Sequence, residues 1–514
     1  MTRFDGMIVN QSLIENPVEM MNSTKPKEMS NETYPPLFSP KAKRFRVLLM
    51  IAFSMFAQGI MKTNLSMAMV CMVNTTKSSV ETIKANTDTS TGSCIVESDS
   101  EKKAKMSYDG TFLWSNEEQS AIFAAFFWGG LVSVCMCTWL SNKFGPTRVL
   151  LAGGLLNVIA SFLTPIAADM GVFSITVVRA VMGAGQGIQY PLGATVAAAW
   201  FPKEEKSTAI AVYTNGNQMS YVIAMLVSSQ ICQFKAIGGW RAIFYIYGAI
   251  GALMCLLWWW VVTDTPYDAK DISEVELTHI CGPKSSKKTA TSTPWKEMLT
   301  SPLMLTLIAC TVGQSVSIIT LTTYLPSYFK HVQHMDLTNN GFWSALPFLC
   351  QTAMKFVVGG CADGLKRRYP KKIDTITKCS NCLATFGCAL CLGVVSLLPC
   401  GHSFLAVLLI TLATSCLSGY TGGYFTALIS VAPLHTAAVN SVSRIFGQLA
   451  SAGTPYFVGF ITKTNSAFEW LIVFFTIGAI LVASGVMFLI FGTVTPQPWS
   501  LPKAENKENE KNEL

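Results

Sequence analysis

The stretch VVRAVMGAGQGIQYPLG, residues 177–193, decides how the rest of the chain is read. It is apolar enough to lie in a bilayer, yet it carries Arg179, Gln186, Gln189, Pro191 and four glycines. An arginine at membrane depth costs at least ~2.5–3.5 kcal/mol even on the lenient insertion scale, so it normally faces a protein interior or a water-filled path. Glycines strip side chains from a helix face and let a neighbouring helix approach. Arg179 therefore reads as the floor of a binding site. The alternative is a structural cation satisfied by backbone carbonyls near a helix end. The spacing is not a dinucleotide fingerprint, because no strand precedes it and Ile188 stands where the third glycine is needed.

The whole chain has 514 residues, 50% hydrophobic and 13% charged. Soluble chains average about 25% charged, so this balance belongs to a polytopic membrane protein. The net charge of +8 does not point to nucleic acid, because the basic residues fall beside apolar runs. The sixteen cysteines lie mostly in those runs without a CxxC at zinc spacing. That assigns nearly all of them to packing and implies no metal site; Cys94, in a polar loop, is the exception and a candidate for pairing. No buried nucleophile–base pair or phosphate loop marks an enzyme, and no cofactor is implied.

A membrane-spanning helix needs ~20 apolar residues. Twelve runs qualify: 47–73, 121–140, 149–168, 171–199, 207–232, 240–263, 302–325, 341–362, 375–398, 404–431, 437–461 and 468–491. The fourth is the weakest in hydropathy. Basic residues at Lys41, Lys43, Arg44 and Arg46, at Lys143 and Arg148, at Lys203 and Lys206, and at Lys366, Arg367, Arg368, Lys371 and Lys372 all fall on one side, which places both termini in the cytosol. The expected organisation is a disordered N-terminal segment at 1–46 without a cleavable signal, a six-helix bundle over 47–263, a linker at 264–301, a second six-helix bundle over 302–492 and a disordered tail at 493–514. A long extracytosolic loop at 74–116 holds the sequon Asn74-Thr75-Thr76, a glycosylation candidate. The C-terminal KNEL resembles a retrieval signal, but one read only in a lumen, where a cytosolic tail does not go. The class is an all-α membrane protein with twelve transmembrane helices in two six-helix halves, the layout of rocking-type transporters.

Depth follows from ~1.5 Å of rise per residue. Lys62 lies ~16 Å from the outer end of its run and Arg179 ~12 Å from the same side, so the two share a level. In the second half, Lys355 and Arg444 each lie ~10 Å from the cytosolic end. Aspartates and glutamates sit only at the edges of the runs, as at Glu117, Glu118, Asp363, Asp374 and Glu469. Four cations without carboxylates are unstable unless something else brings negative charge, and an anionic solute does so. Arginine offers a planar fork for carboxylate or phosphate, and lysine a point charge. The alternative for Lys62 is snorkelling, and for Lys355 and Arg444 bonding to carbonyls or to Gln351 and Asn440. Gln58, Asn64, Gln186, Gln189, Asn215, Asn217, Gln218 and Gln314 fall where a lined path needs them, or serve as interhelical ties; Tyr324 and Tyr424 are packing residues or ligand contacts.

The chain resembles the major facilitator superfamily and, within it, solute carrier family seventeen, the group of sialin, the vesicular glutamate transporters and the type I sodium–phosphate cotransporters. The resemblance runs from about residue 47 to 491. It is carried by KTNLS at 62–66, FFWG at 126–129, RAVMGAGQGIQYP at 179–191, GWRAIFYIYG at 239–248, YLPSYF at 324–329 and NGFWSALPF at 340–348. It implies movement of organic anions or phosphate by alternating access, driven by protons, sodium or voltage. The family's paired basic residues fall on Lys62 and Arg179, with lysine in place of the usual arginine. Its fourth-span acid, in G-x-x-E-G, falls on Gln186. Phe123 stands where the vesicular glutamate transporters have histidine, and Gln314 where they have arginine. These departures argue against proton coupling by the family's usual route and against glutamate as cargo. In the first-turn element G-x-x-x-D-x-x-G, Thr138 and Asn142 replace the first glycine and the aspartate, while Gly145 and Arg148 remain; the second half keeps Gly360, Asp363 and Arg367.

The expectation is a monomeric carrier of small anions in the plasma membrane or a vesicular or lysosomal membrane, coupled to Na+, H+ or voltage. Lys62 and Arg179 bind the anion; Gln186, Gln189, Asn217, Gln314 and Tyr324 shape the site; Lys355 and Arg444 form a cytosolic gate or second anion site. The rival readings are an anion channel or uniporter-like leak, and a non-transporting receptor on a transporter fold.

Overall fold

The computed structural model describes residues 38–39, 42–73, 110–234, 236, 238–269, 271–281, 294–398, 402–432 and 435–500. Asn74, Cys94, most of the 74–116 loop, most of the 1–46 segment and the KNEL end lie outside these residues.

The first six long helices are α1 (Lys43–Met72), α2 (Asn116–Phe144), α3 (Pro146–Met170), α4 in two pieces (Val172–Gly187 and Gln189–Trp200), α5 (Lys203–Gln233) and α6 (Trp240–Val261). The second six are α7 (Pro302–His331), α8 (Leu337–Arg368), α9 (Pro370–Ser396), α10 (Ser403–Ser430), α11 (Thr436–Ile461) and α12 (Ala467–Phe491). Among the described residues, nine of these are long and apolar enough to cross a membrane on length and composition alone. Of the other three, α4 is divided into pieces of 16 and 12 residues, and α5 and α11 carry clusters of polar residues, Asn215, Asn217 and Gln218 in one and Asn440, Arg444 and Gln448 in the other. A helical bundle is one of the two arrangements hydrocarbon allows, because a helix satisfies its own backbone groups.

The carboxylates at helix edges are occupied as caps. Ser115 with Glu118, and Ser466 with Glu469, form capping boxes on α2 and α12. Asp264, just beyond α6, accepts from the Thr147 amide at 2.9 Å and its hydroxyl at 2.6 Å, closing the start of α3. Gly145 precedes that start with φ +86°, and a side chain there would strike Asp264; glycine enters this region without penalty. Asp374 accepts from the Val494 amide at 2.7 Å. The linker carries a further device. Its short helix, Glu274–Cys281, presents Glu276 to the start of α1, where the carboxylate accepts from the amides of Lys43 and Arg44 at 3.1 and 3.0 Å.

Within the first half α1 packs on α5 and α6, and α4 on α2 and α3; within the second, α7 packs on α11 and α12, and α9 on α10 and α12. The halves meet where α2 packs on α11 and α5 on α8. We call the end of the bundle holding Lys43 and Phe491 the terminal end and the other the distal end. Among the described residues, every hydrogen bond between the halves lies from mid-bundle to the distal end. Gln218 donates to Gln351 at 2.8 Å, and Gln448 to the Phe127 carbonyl at 3.2 Å, near the middle. Gln233 donates to Thr338 at 2.8 Å and Ser66 to the Thr323 carbonyl at 2.6 Å, nearer the distal end. There Gly341 rests on Ser229 and Gly459 on Ser120, contacts that any side chain would block. A side chain at Gly360 or Gly364, in the terminal part of α8, would meet nothing. Among the described residues, the hydrogen bonds that join the halves thus gather toward the distal end, which is closed.

One expectation is corrected. Their place in apolar runs predicts a packing role for Cys71 and Cys232, as for nearly all the cysteines. They form a disulfide that joins the distal ends of α1 and α5.

Candidate substrate-binding site

The glycines of 177–193 do what close helix packing requires. A Cβ on Gly183 would overlap the Phe126 carbonyl of α2; on Gly187 it would strike Gly130 and Ser133 of α2; on Gly185 it would strike the Gly153 carbonyl of α3. Alternate glycines thus seat α4 against two neighbours, and Gly129 of α2 reciprocates against Ala180. The result is that Phe126 is pressed against the residue one turn before Gly183, which is Arg179.

The Arg179 guanidinium lies 5.2 Å from the centre of the Phe126 ring. The Lys62 ammonium lies 5.6 Å from the same ring and 5.3 Å from that of Phe127. Two cations from different helices therefore share one aromatic ring, which attracts each without neutralising either. Arg179 is 2% exposed. It donates to the Lys62 carbonyl at 3.2 Å and to the Met182 sulfur at 3.2 Å, and its Nε has no partner. Lys62 and Arg179 line one cavity with Ser66, Phe123, Thr322 and Thr323. Among the described residues no carboxylate pairs with either cation. The ion pairs between described residues, Lys43–Asp271, Arg44–Glu205, Arg241–Asp169 and His279–Glu205, lie at helix ends or in the linker.

The other candidates fall into different places. Gln186 is buried seven residues beyond Arg179 on the same face of α4, ~10 Å along the axis. Gln189 donates to Ser54 of α1 at 2.9 Å, and Asn217 to Tyr221 within α5 at 3.0 Å. Gln314 accepts from the Tyr424 hydroxyl, tying α7 to α10. Tyr324 is bonded to Ser120 of α2 at 3.2 Å and to the Pro455 carbonyl of α11 at 3.4 Å, with its ring edge-on to Phe123. It belongs to the distal closure and lines the adjoining cavity there.

Arg444 of α11 reaches across to the first half, its guanidinium 4.9 Å from the Tyr190 ring of α4. Lys355 is half-buried on α8, and no hydrogen bond or ring contact joins it to Arg444 among the described residues. The nearby amides are engaged elsewhere, Gln351 with Gln218 and Asn440 with the Thr436 carbonyl. Sequence reasoning did not single out Phe126, Phe127 or Tyr190. The signal was present, as aromatic residues inside two of the quoted motifs, but which ring faces which cation depends on how α2 and α4 are rotated.

The sequence model of the Major Facilitator Superfamily matches residues 50–455. The chain belongs to this superfamily. An uncharacterized transporter of Caenorhabditis elegans, slc-17.3, is 28% identical over 501 residues, covering 93% of each chain. Human sialin is 28% identical, covering 89% of this chain and 91% of its own. Mouse sodium-dependent phosphate transport protein 3 is 29% identical, covering 89% and 95%. These relatives are members of solute carrier family seventeen. Among solved structures, a bacterial homologue of the human lysosomal transporter Spinster matches at TM-score 0.62 with 14% identity, over 87% of this chain and 96% of that one. The Escherichia coli xylose transporter XylE matches at TM-score 0.62 with 13% identity, over 88% and 96%. The superfamily member described here is a multi-pass membrane transporter and not an enzyme.

Proposed function

We propose that the chain carries small organic or inorganic anions by alternating access, with Lys62 and Arg179 as the anion-binding pair. What supports this is their position in one cavity, against one aromatic ring, with no carboxylate of the described residues beside them. Buried charge of one sign is costly until a partner arrives, so the site favours a negatively charged visitor. The hydroxyls of Ser66 and Thr322 are committed to the Thr323 and Ile318 carbonyls, which leaves the buried, partnerless hydroxyl of Thr63 in the same cavity as a neutral donor beside the cations. The sialin and phosphate-transporter relatives are consistent with an anion, and the family's departures at Gln186, Phe123 and Gln314 favour sodium or voltage over protons as the driving force. The distribution of basic residues supports cytosolic termini, and on this reading the terminal end faces the cytosol. A transmembrane potential then contributes ~2.3 kcal/mol per net charge moved per 100 mV.

The test is a panel of labelled anions (phosphate, urate, sialate, glutamate, a nucleotide) in proteoliposomes, with sodium, proton and voltage gradients imposed one at a time. Saturable, trans-stimulated uptake of at least one anion is expected. Uptake of neutral solutes only, or a conductance that does not saturate, would overturn the reading.

A further inference from the structure

The distal closure contains a charge that the anion site does not use. Lys330, near the end of α7, is 9% exposed, and its ammonium reaches into the other half. It donates to the Val70 carbonyl at 3.0 Å and to the Val73 carbonyl at 3.5 Å. These carbonyls belong to the last turn of α1 and the residue that ends it. The final carbonyls of a helix have no partners within it, and that end carries the negative pole of the helix dipole. The last turn of α1 holds no basic residue of its own. The second half of the molecule supplies one.

We propose that Lys330 is the latch of the distal gate: its ammonium holds α7 on the end of α1 in the distally closed state and must leave those carbonyls for that end to open. The neighbouring bonds between the halves, Ser66 to Thr323 and Asn116 to the Thr462 and Lys463 carbonyls, use neutral groups. Charge-assisted bonds are about twice as strong as neutral ones, so Lys330 weighs most in the balance between states. Its position fits the role. It lines the distal cavity, which shares Ser66, Phe123 and Thr323 with the cavity of Lys62 and Arg179 beneath it. Release of Lys330 therefore opens a path directly onto the two cations. The inference rests on the transporter fold and not on the identity of the solute, so it survives or fails independently of the anion reading.

The experiment places a reporter thiol in the distal cavity by Gln119→Cys and follows its reaction with a water-soluble maleimide in purified, detergent-solubilised full-length protein. The same protein without the reporter gives the background from the native cysteines. Adding Lys330→Met is expected to speed reporter labelling about fivefold or more, the range that a partly buried cation at a helix C-terminus contributes. Lys330→Arg keeps the charge and is expected to label near the parent rate. Should the methionine variant not accumulate as a monodisperse species, Lys330→Gln provides the same comparison. Labelling unchanged by loss of the charge, in a variant that remains monodisperse, overturns the proposal. So does equal acceleration by arginine and methionine, since that would assign the contact to shape and not to charge.

Discussion

The Arg179 guanidinium donates a 3.2 Å hydrogen bond to the backbone carbonyl of Lys62, so the side chain of one cation is positioned by the main chain of the other. That bond fixes the guanidinium while leaving its charge uncompensated, because a carbonyl is a dipole and not an anion. Removing the guanidinium should remove the less exposed of the two positive charges in the cavity without removing any packing glycine. Arg179→Ala is expected to lower uptake of the transported anion at least about 100-fold, the scale of a lost buried charge partner, with protein abundance close to normal. Arg179→Lys should recover part of it, since a lysine keeps the charge but not the planar fork. Initial rates in proteoliposomes, normalised to reconstituted protein, make the comparison; wild-type rates in the alanine variant refute the binding role.

Gln186 shares the face of α4 with Arg179 and cannot take up a proton. Gln186→Glu places an ionisable carboxyl there. When charged, it offers Arg179 and Lys62 an internal anion that competes with the solute; when protonated, it does not. Uptake by this variant should therefore fall as pH rises through the titration of the new carboxyl and recover on acidification, while the parent lacks this component. Rates measured between pH 5 and 8 with the proton gradient collapsed test it. Parallel profiles in the two proteins show that position 186 does not govern the site.

Gly183 is where α4 rests on the Phe126 carbonyl. A methyl group there cannot be absorbed by a flexible side chain, because its neighbour is backbone. Gly183→Ala should push α2 from α4, cost about 1–3 kcal/mol as overpacking does, and move Phe126 away from Arg179. The expected outcome is a lower melting temperature together with weaker apparent affinity. Gly453→Ala serves as control, since a Cβ there meets nothing. A Gly183→Ala protein as stable and active as the control would show that the α2–α4 contact is not close in the membrane.

What the sequence made legible was set by cost. Charges inside apolar runs are expensive enough to stand out, so Lys62 and Arg179 could be picked out and placed at one level by counting residues. The glycines signalled close approach, but not that Gly183 and Gly187 face α2 while Gly185 faces α3, since that depends on helix rotation. Gln189, Asn217 and Gln314 read equally as path lining or as ties between helices, and the structure shows each bonded to a neighbour, because an amide in a run announces a hydrogen bond without saying to whom. The Cys71–Cys232 pair was hidden for a different reason. Both residues lie at the ends of apolar runs, 161 residues apart, and only the packing of α1 on α5 brings them together. Lys330 was lost at the edge of its run, where a lysine is ordinary; its significance comes from the carbonyls of α1, which no local pattern connects to it.

The linker supplies the last prediction. Glu276 is 2% exposed, and its two oxygens serve the amides of Lys43 and Arg44. Those amides belong to the first turn of α1, whose preceding residue, Ala42, offers no side-chain cap. Beside them Arg44 meets Glu205 of α5, Nε to carboxylate at 3.1 Å. Glu276→Ala leaves two buried donors without acceptors, each worth about 1–3 kcal/mol when stranded, and also removes an anion from the positive pole of the helix. The variant should melt several degrees lower in detergent. Glu276→Gln, which retains one acceptor oxygen, should fall between alanine and the parent. Because α1 also carries Lys62, fraying of its start should lower transport in proportion to the folded fraction without changing apparent affinity. A melting temperature unaffected by Glu276→Ala would mean that the linker helix is not docked on α1 in the folded protein.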